Sequence, residues 1–436
     1  MRKPLWRLLL TVFPAGSAWA LLAGSPLPAL AQGADLRAWV RESPAYQEVA
    51  LQKEAARRSL ESAQAALLPS LSPQAAYSRP LVGQESLSLG VGGSLALLPW
   101  GPARNALDAA QRSYRQALLQ ARSQENALFQ TALSQYLGVY LARLDLELAQ
   151  KRLALREAQL QAVRDQREKG QATFQAVLEA ESALSEAQAA LFQAELALTL
   201  AEARLEATLG RKMEVSPLPL PEALPGLEEA LAALPRRPDV LRARLALEEA
   251  EALLAQAERD RLLPQLTLSL QAQEGGWGAS LGLNLTQGTL SYAAQYALLG
   301  GGVSGTSFQA QAAFPLLAPS QEATLALRAQ GVEQARLALK NAEASALLDL
   351  RSKHQALLQA KAQVEVAEKA LRASENSLEV AQKRLQAGTG TRLEVMQAEL
   401  GLLQARRTLE GAKAAFLQAY YALRDAMGEA LLGGEE

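Results

Sequence analysis

Arg384-Leu385-Gln386-Ala387-Gly388-Thr389-Gly390-Thr391-Arg392-Leu393-Glu394-Val395 sets a glycine and threonine turn between two long proline-free stretches. Its counterpart lies 218 residues earlier, at Gly170-Gln171-Ala172-Thr173. The same offset carries Val177, Leu184, Leu191, Leu198 and Leu205 onto Val395, Leu402, Leu409, Phe416 and Leu423. Further upstream, Pro44 corresponds to Pro238 at an offset of 194, and Pro69 to Pro264 at 195. Agreement of helix starts, helix stops, turn and ladder reads as a tandem duplication, with 23 extra residues in the second copy.

Outward from the turn, both copies run in one order. Pro44 and Pro238 stand where a helix begins, because a missing N–H costs nothing at the first helical position. Leu68-Pro69-Ser70-Leu71 and Leu263-Pro264-Gln265-Leu266 close those helices, since the residue before proline is pushed out of helical geometry. Alternation of period two follows at Leu87, Leu89, Val91, Leu95 and Leu97, then in the second copy at Leu266, Leu268, Leu270 and at Phe308, Ala310, Ala312, Phe314. The extra stretch from Trp277 to Leu299 alternates too, through Leu281, Leu283, Leu285, Tyr292 and Tyr296. It is read as a surface hairpin or loop, with a further pair of membrane strands as the alternative. Trp277, Tyr292 and Tyr296 suit either a membrane interface or loop packing.

Two helices come next, each 67 residues when counted from Pro102 to Glu168 and from Ser320 to Gln386. At 1.5 Å per residue each is roughly 100 Å long. Leu357, Val364, Leu371, Leu378 and Leu385 step by seven. In the first copy, Leu137, Leu141, Leu144, Leu148 and Leu155 form one stripe, and Val139, Leu146, Leu153 and Leu160 another. Two stripes fit a helix with neighbours on both flanks, as in a cylinder wall; an ordinary bundle with a wide apolar face is the alternative.

The chain divides accordingly: residues 1–31 a signal peptide, 32–210 the first repeat, 211–237 a Pro-rich linker, 238–427 the second repeat and 428–436 a short tail expected to carry little. The signal rests on Arg2, Lys3 and Arg7, an apolar run from Leu8 to Leu22, and Ala29-Leu30-Ala31. An N-terminal anchor is the alternative there. Elsewhere no uncharged apolar stretch is long enough to span a bilayer as a helix, so membrane contact falls to strands or surface.

Composition narrows the chemistry. The 436 residues carry 44 Lys+Arg against 45 Asp+Glu, a balance that argues against nucleic-acid binding. Cys is absent and His354 is the single histidine, which removes thiol nucleophiles, zinc clusters and Fe–S sites. No phosphate-binding glycine loop ending in Lys-Ser/Thr occurs. No enzyme activity and no cofactor are expected, and His354 reads as a surface or lumen side chain.

In this order, twice over, these segments resemble the TolC-like outer-membrane efflux proteins across nearly all of the mature chain. The 384–395 turn looks like that family's periplasmic tip, the Leu-Pro pairs like its helix-to-strand junctions, and Leu98-Pro99-Trp100 and Phe314-Pro315-Leu316 like its strand-to-helix junctions. The resemblance implies a mainly α fold with β: a duplicated chain with a long-helix α-barrel and a transmembrane β-barrel shared by a homotrimer, four strands per protomer. It implies a passive exit duct in the outer membrane, with helices in the periplasm, fed by an inner-membrane transporter through a periplasmic adaptor. Outer-membrane lipid is the other partner. Gly170, Thr173, Gly388, Thr389, Thr391 and Arg392 are then the adaptor-contacting tip. Arg164, Arg167, Lys169, Lys383 and Arg384 place basic charge around it. Glu394, with Gln397 one turn on and Glu179 in the first copy, marks the periplasmic entrance; the family often has an acid where Gln397 stands. Untwisting of the inner helices would open that end. The rival reading is a periplasmic coiled-coil scaffold or adaptor protein that never enters the membrane.

Overall fold

The structure is a computed structural model that describes residues 32–79, 85–262, 265–299, 304–313 and 319–433. Residues 1–31, and with them the signal segment, lie outside the described residues, as do Leu263-Pro264 and Phe314-Pro315-Leu316.

The chain begins with α1 (Gln32–Glu42) and α2 (Pro44–Ala65), then strands β1 (Ser72–Ser78) and β2 (Ser86–Ala96). The long helix α3 (Pro102–Glu168) turns into α4 (Phe174–Leu209). A short helix, α5 (Leu227–Ala232), lies in the proline-rich segment. Next come α6 (Pro238–Leu262) and the strands β3 (Gln265–Glu274), β4 (Trp277–Asn284), β5 (Thr289–Leu299) and β6 (Gly305–Ala313). The chain ends with α7 (Pro319–Gln386) and α8 (Arg392–Ala426).

Prolines start α2 and α6 as expected, at Pro44 and Pro238; Pro102 starts α3, and Pro319 starts α7 one residue before Ser320, where the sequence count of that helix begins. Ser43 accepts a hydrogen bond from the Tyr46 N–H and so caps α2. That helix stops at Ala65, a few residues before Leu68-Pro69. Its last carbonyls are met by tighter bonds from Leu67 N to Gln64 O and Leu68 N to Ala65 O, so a turn fills the gap.

The helices form a layer with two halves. Toward the sheet, α2 and α6 flank the start of α3, tied by Lys53 to Glu125 and Arg259 to Asn105. Toward the turns, α4 and α8 flank its end, and α7 packs on α8. The order across that half is α4, α3, α8, α7. Between the halves lie two cores. In one, Phe129, Leu133, Tyr136 and Val139 of α3 meet Leu36 and Val40 of α1 and Leu205 and Leu209 of α4. In the other, Leu350, Leu357 and Val364 of α7 meet Leu409, Phe416 and Leu423 of α8. Of the heptad stripe, Leu357 and Val364 are buried and Leu371 packs against them, each full burial stabilising by about 1.5–3 kcal/mol, while Leu385 near the turn is exposed. The proline-rich segment is pinned there too: the Tyr136 hydroxyl accepts from Ser216 N at 3.0 Å and donates to Ser216 O at 3.1 Å.

The C-terminal tail departs from expectation. Leu431 and Leu432 are buried in the first core, and the Leu432 carbonyl accepts from Arg41 at 2.6 Å. Asn126, 1 % exposed in mid-α3, donates to Asp425 and to the Glu429 carbonyl and accepts from Leu431 N. Two apolar side chains suffice to hold so short a strap once a buried amide satisfies its backbone.

The second departure is in the sheet. All six strands form one antiparallel sheet in the order β1-β2-β5-β4-β3-β6. The stretch from Trp277 to Leu299 is a hairpin, in keeping with one expectation, but it is hydrogen-bonded between β2 and β3 rather than set apart from the sheet, and the described residues give six strands rather than four.

Candidate functional site

The two helical turns stand where the quoted motifs place them. At the first, α3 ends through Gly170, whose φ of +72° is the left-handed value that glycine adopts most cheaply. Gly170 N donates to Arg167 O at 2.9 Å and Gln171 N to Gln166 O at 2.8 Å, satisfying the last carbonyls. Thr173 then caps α4, its hydroxyl accepting from Ala176 N at 3.2 Å.

The second turn repeats the geometry and adds to it. Gly388 also has φ +72° and donates to Leu385 O at 3.0 Å. Thr389 N and Gly390 N both donate to Arg384 O at 3.0 Å. Thr391 caps α8 within a reciprocal box: its hydroxyl accepts from Glu394 N at 3.2 Å, and its N–H donates to Glu394 Oε2 at 3.4 Å. The structure thus brings Thr391 and Glu394 together, and Glu394 has a local structural duty at an exposed helix start.

Gln397 lies one turn further along α8, exposed; Glu179 lies on α4, exposed, accepting from Gln175 at 3.1 Å. Of the basic residues, Arg164 pairs with Glu181 at 2.7 Å, Arg167 lies over the Phe174 ring at 4.7 Å, and Lys383 pairs with Glu379 at 2.6 Å. Lys169, Arg384 and Arg392 are exposed beside the turns. Lys383 holds the Glu379 carboxyl below its ordinary range, chiefly through the hydrogen bond. Both tips therefore offer backbone turns, threonines and cationic side chains to solvent.

Sequence reading missed the ion pairs that tie α3 to α8 and the proline-rich segment to α7. Arg407 of α8 grips Asp145 of α3 with two bonds, at 2.7 and 3.0 Å. That bond holds the guanidinium above its ordinary range, against a smaller opposing effect of burial. Lys151 and Glu399 meet between the same helices at 3.7 Å. The available signal was Asp145 itself, an acid between Leu144 and Leu146 where the two apolar stripes converge. A second knot is Arg237, 8 % exposed, which binds Asp239 at 2.8 Å and Asp349 at 2.9 Å. Burial pushes the Asp239 carboxyl up, but hydrogen bonds and charge from Arg237 outweigh it, and the net shift is downward.

His354 sits half-buried in mid-α7. Among the described residues no group of three or more His, Asp or Glu is placed to hold a metal ion, and no helix is long and apolar enough to cross a membrane.

The outer membrane efflux protein family model matches residues 38–211 and 231–429. Sequence comparison with curated proteins finds no match. Among solved structures, the outer membrane protein VceC of Vibrio cholerae is similar at TM-score 0.68 and 18% identity, with 91% of this chain and 96% of that one covered. The CmeC outer membrane channel of Campylobacter jejuni gives TM-score 0.69 and 15% identity, covering 90% and 84%. The open state of the MtrE outer membrane channel of Neisseria gonorrhoeae gives 0.64 and 22%, covering 91% and 89%. These likenesses establish a mainly α fold with a β-sheet, shared with such channels. Because the family model spans both helical halves and both tip turns, the chain belongs to the outer membrane efflux protein family.

Proposed function

We propose that three copies of this chain close into a passive exit duct, with the sheets in the outer membrane and the helices in the periplasm. The observation that carries this is a pair of open edges on each layer. The sheet ends at β1 on one side and β6 on the other. The helical half nearest the tips ends at α4 and α7, and both bear apolar stripes exposed in the single chain. On α4 the stripe is Phe174, Leu178, Phe192, Leu196 and Leu200; on α7 it is Leu348, Val366 and Val380, continued into the sheet-side half by Leu337. These spacings each keep one helix face. Lipid does not tolerate an open strand edge, and water does not favour an open leucine stripe. Pairing β6 with a neighbour's β1, and α7 with a neighbour's α4, removes all four edges by one rotation.

In this duct the Gly170 and Gly388 turns, with Thr173, Thr389, Thr391 and Arg392, are the surface offered to a periplasmic adaptor, which links the duct to an inner-membrane transporter. Glu394, Gln397 and Glu179 lie near the entrance, where carboxylates repeated by symmetry attract cations. Small molecules or polypeptides pass without chemistry. Residues 32–210 and 238–427 are duplicates of one unit, and residues 1–31 direct export. Fractionation and planar-bilayer recording test the reading. The duct stays with the outer membrane through a high-salt wash and opens pores; a periplasmic scaffold washes off and conducts nothing.

A further inference from the structure

The 277–299 hairpin is more than an ornament on the sheet. It separates β2 from β3 completely: Ser94 pairs with Ser291 of β5, and Ser269 of β3 pairs with Gly282 of β4. Its far turn is locked onto the base of the sheet. Leu97 N and Leu98 N donate to the Gly288 carbonyl at 2.8 and 3.1 Å, and the Trp100 indole donates to Leu285 O at 2.9 Å. The approach is so close that a Cβ on Gly101 would lie 2.1 Å from Gln287 O.

The hairpin also continues both faces of its neighbours. Paired residues of an antiparallel sheet share a face. One row therefore reads Ala310, Leu268, Leu283, Leu290, Leu95 from β6 to β2, and the next Phe308, Leu270, Leu281, Tyr292. Toward the outer end, Trp277, Tyr296 and Leu89 follow, the two rings 4.8 Å apart. The opposite face reads Gln309, Ser269, Gly282, Ser291, Ser94 across the same strands. It is hollowed, with a cavity of about 360 Å³ lined by residues that include Gln271, Ser280, Gln295 and Ser307. From Trp277 to Leu299 there is no Asp, Glu, Lys or Arg. Alternation of apolar and polar faces in strands of this length is the pattern of a membrane barrel.

The geometry points to a third membrane hairpin: each protomer contributes six strands, so the trimeric duct ends in an eighteen-stranded barrel with an uncharged Ser/Gln-lined mouth. This rests on the trimeric duct proposed above, and departs from the four strands per protomer that the TolC-like resemblance implies. Strand directions allow it, because they alternate through β1-β2-β5-β4-β3-β6 and remain antiparallel where β6 meets the next β1. Barrel diameter grows roughly linearly with strand number, so eighteen strands make a mouth about one and a half times as wide as twelve. The wider mouth is a weaker sieve by size, its uncharged wall does not select by charge, and selection falls mainly to the helical end.

The chain has no native cysteine, so single cysteines test this cleanly. Leu281→Cys and Leu290→Cys probe the apolar face of the hairpin, and Ser280→Cys and Ser291→Cys its polar face. Leu89→Cys on β2 and Phe308→Cys on β6 are the reference variants. In trimers reconstituted into vesicles, a water-borne maleimide reacts at least about tenfold faster with the two serine-site variants than with the two leucine-site variants of the hairpin. A fluorophore attached to the thiol of Leu281→Cys or Leu290→Cys is quenched by nitroxide-bearing lipid. Electron microscopy of the trimer counts eighteen strands. Equal, fast labelling of all four hairpin variants while both reference variants stay shielded, or a ring of twelve strands, overturns the six-strand barrel and leaves the duct standing. Fast labelling of the two reference variants as well removes the membrane reading, and the barrel with it.

Discussion

Single residues at the tips do conformational work that can be measured one at a time. Nothing lies within 4 Å of a Cβ built on Gly170 or Gly388, so an alanine there meets no neighbour and suffers only its positive φ. Gly388→Ala is expected to cost about 1 kcal/mol, read as a lower melting temperature of the helical part. Thr391→Ala removes the hydroxyl that accepts from Glu394 N, leaves the backbone N–H free to bond the Glu394 carboxylate, and costs about 1 kcal/mol, as does Thr173→Ala. Asp239 supplies a pH test. Its folded pKa lies below the ordinary 3.8, so its pairing with Arg237 stabilises the fold above that value and is lost as pH falls through the depressed one. Asp239→Asn should therefore lower stability at pH 7 and flatten the acid limb below about pH 4, checked by thermal unfolding across that range.

Elements behave according to which face has found a partner. Leu350 and Leu348 sit two residues apart on α7, at 0 % and 65 % exposure. Leu350→Ala is expected to cost about 2–5 kcal/mol in the unfolding of a detergent-dispersed protomer, whereas Leu348→Ala leaves that unfolding nearly unchanged and lowers only the heat stability of the assembly. The helices were legible because their signals are local. Prolines start them, glycines stop them, and the Leu357-Val364-Leu371 repeat names the buried seam. Strands β2, β3 and β6 were legible from period two. The place of β4 and β5 was not, since alternation gives a strand its faces but not its neighbours; only the pairing of Leu281 with Tyr292 and of Ser94 with Ser291 decides that. Strand β1, with Pro73, Ala75 and Tyr77 as its apolar side, has too weak a pattern to stand out. The helix–helix turns at Gly170 and Gly388 were readable down to the residue, while Asp145–Arg407 was not, because it joins positions 262 apart in sequence.

At the scale of the molecule, assembly is expected to depend on the stripes more than on any ion pair. Phe192→Glu together with Leu196→Glu should abolish trimers, seen as a fall in mass by light scattering, with helicity by circular dichroism retained. Asp145→Asn, at a pair about 40% exposed on each side, should cost less than about 1 kcal/mol and leave the trimer intact. The strap held by Asn126 has a bearing on how the protein is made. The clasp from Asn126 to Leu431 closes a loop of 305 residues, so the buried amide of α3 finds its partner only after the sheet, α6, α7 and α8 have been brought back to it. A chain cut after Met427 would keep a half-bare amide on α3 and two vacant leucine sockets beside it. One amide on α3 thus acts as a latch on folding order, short of partners until the segment after α8 closes over it.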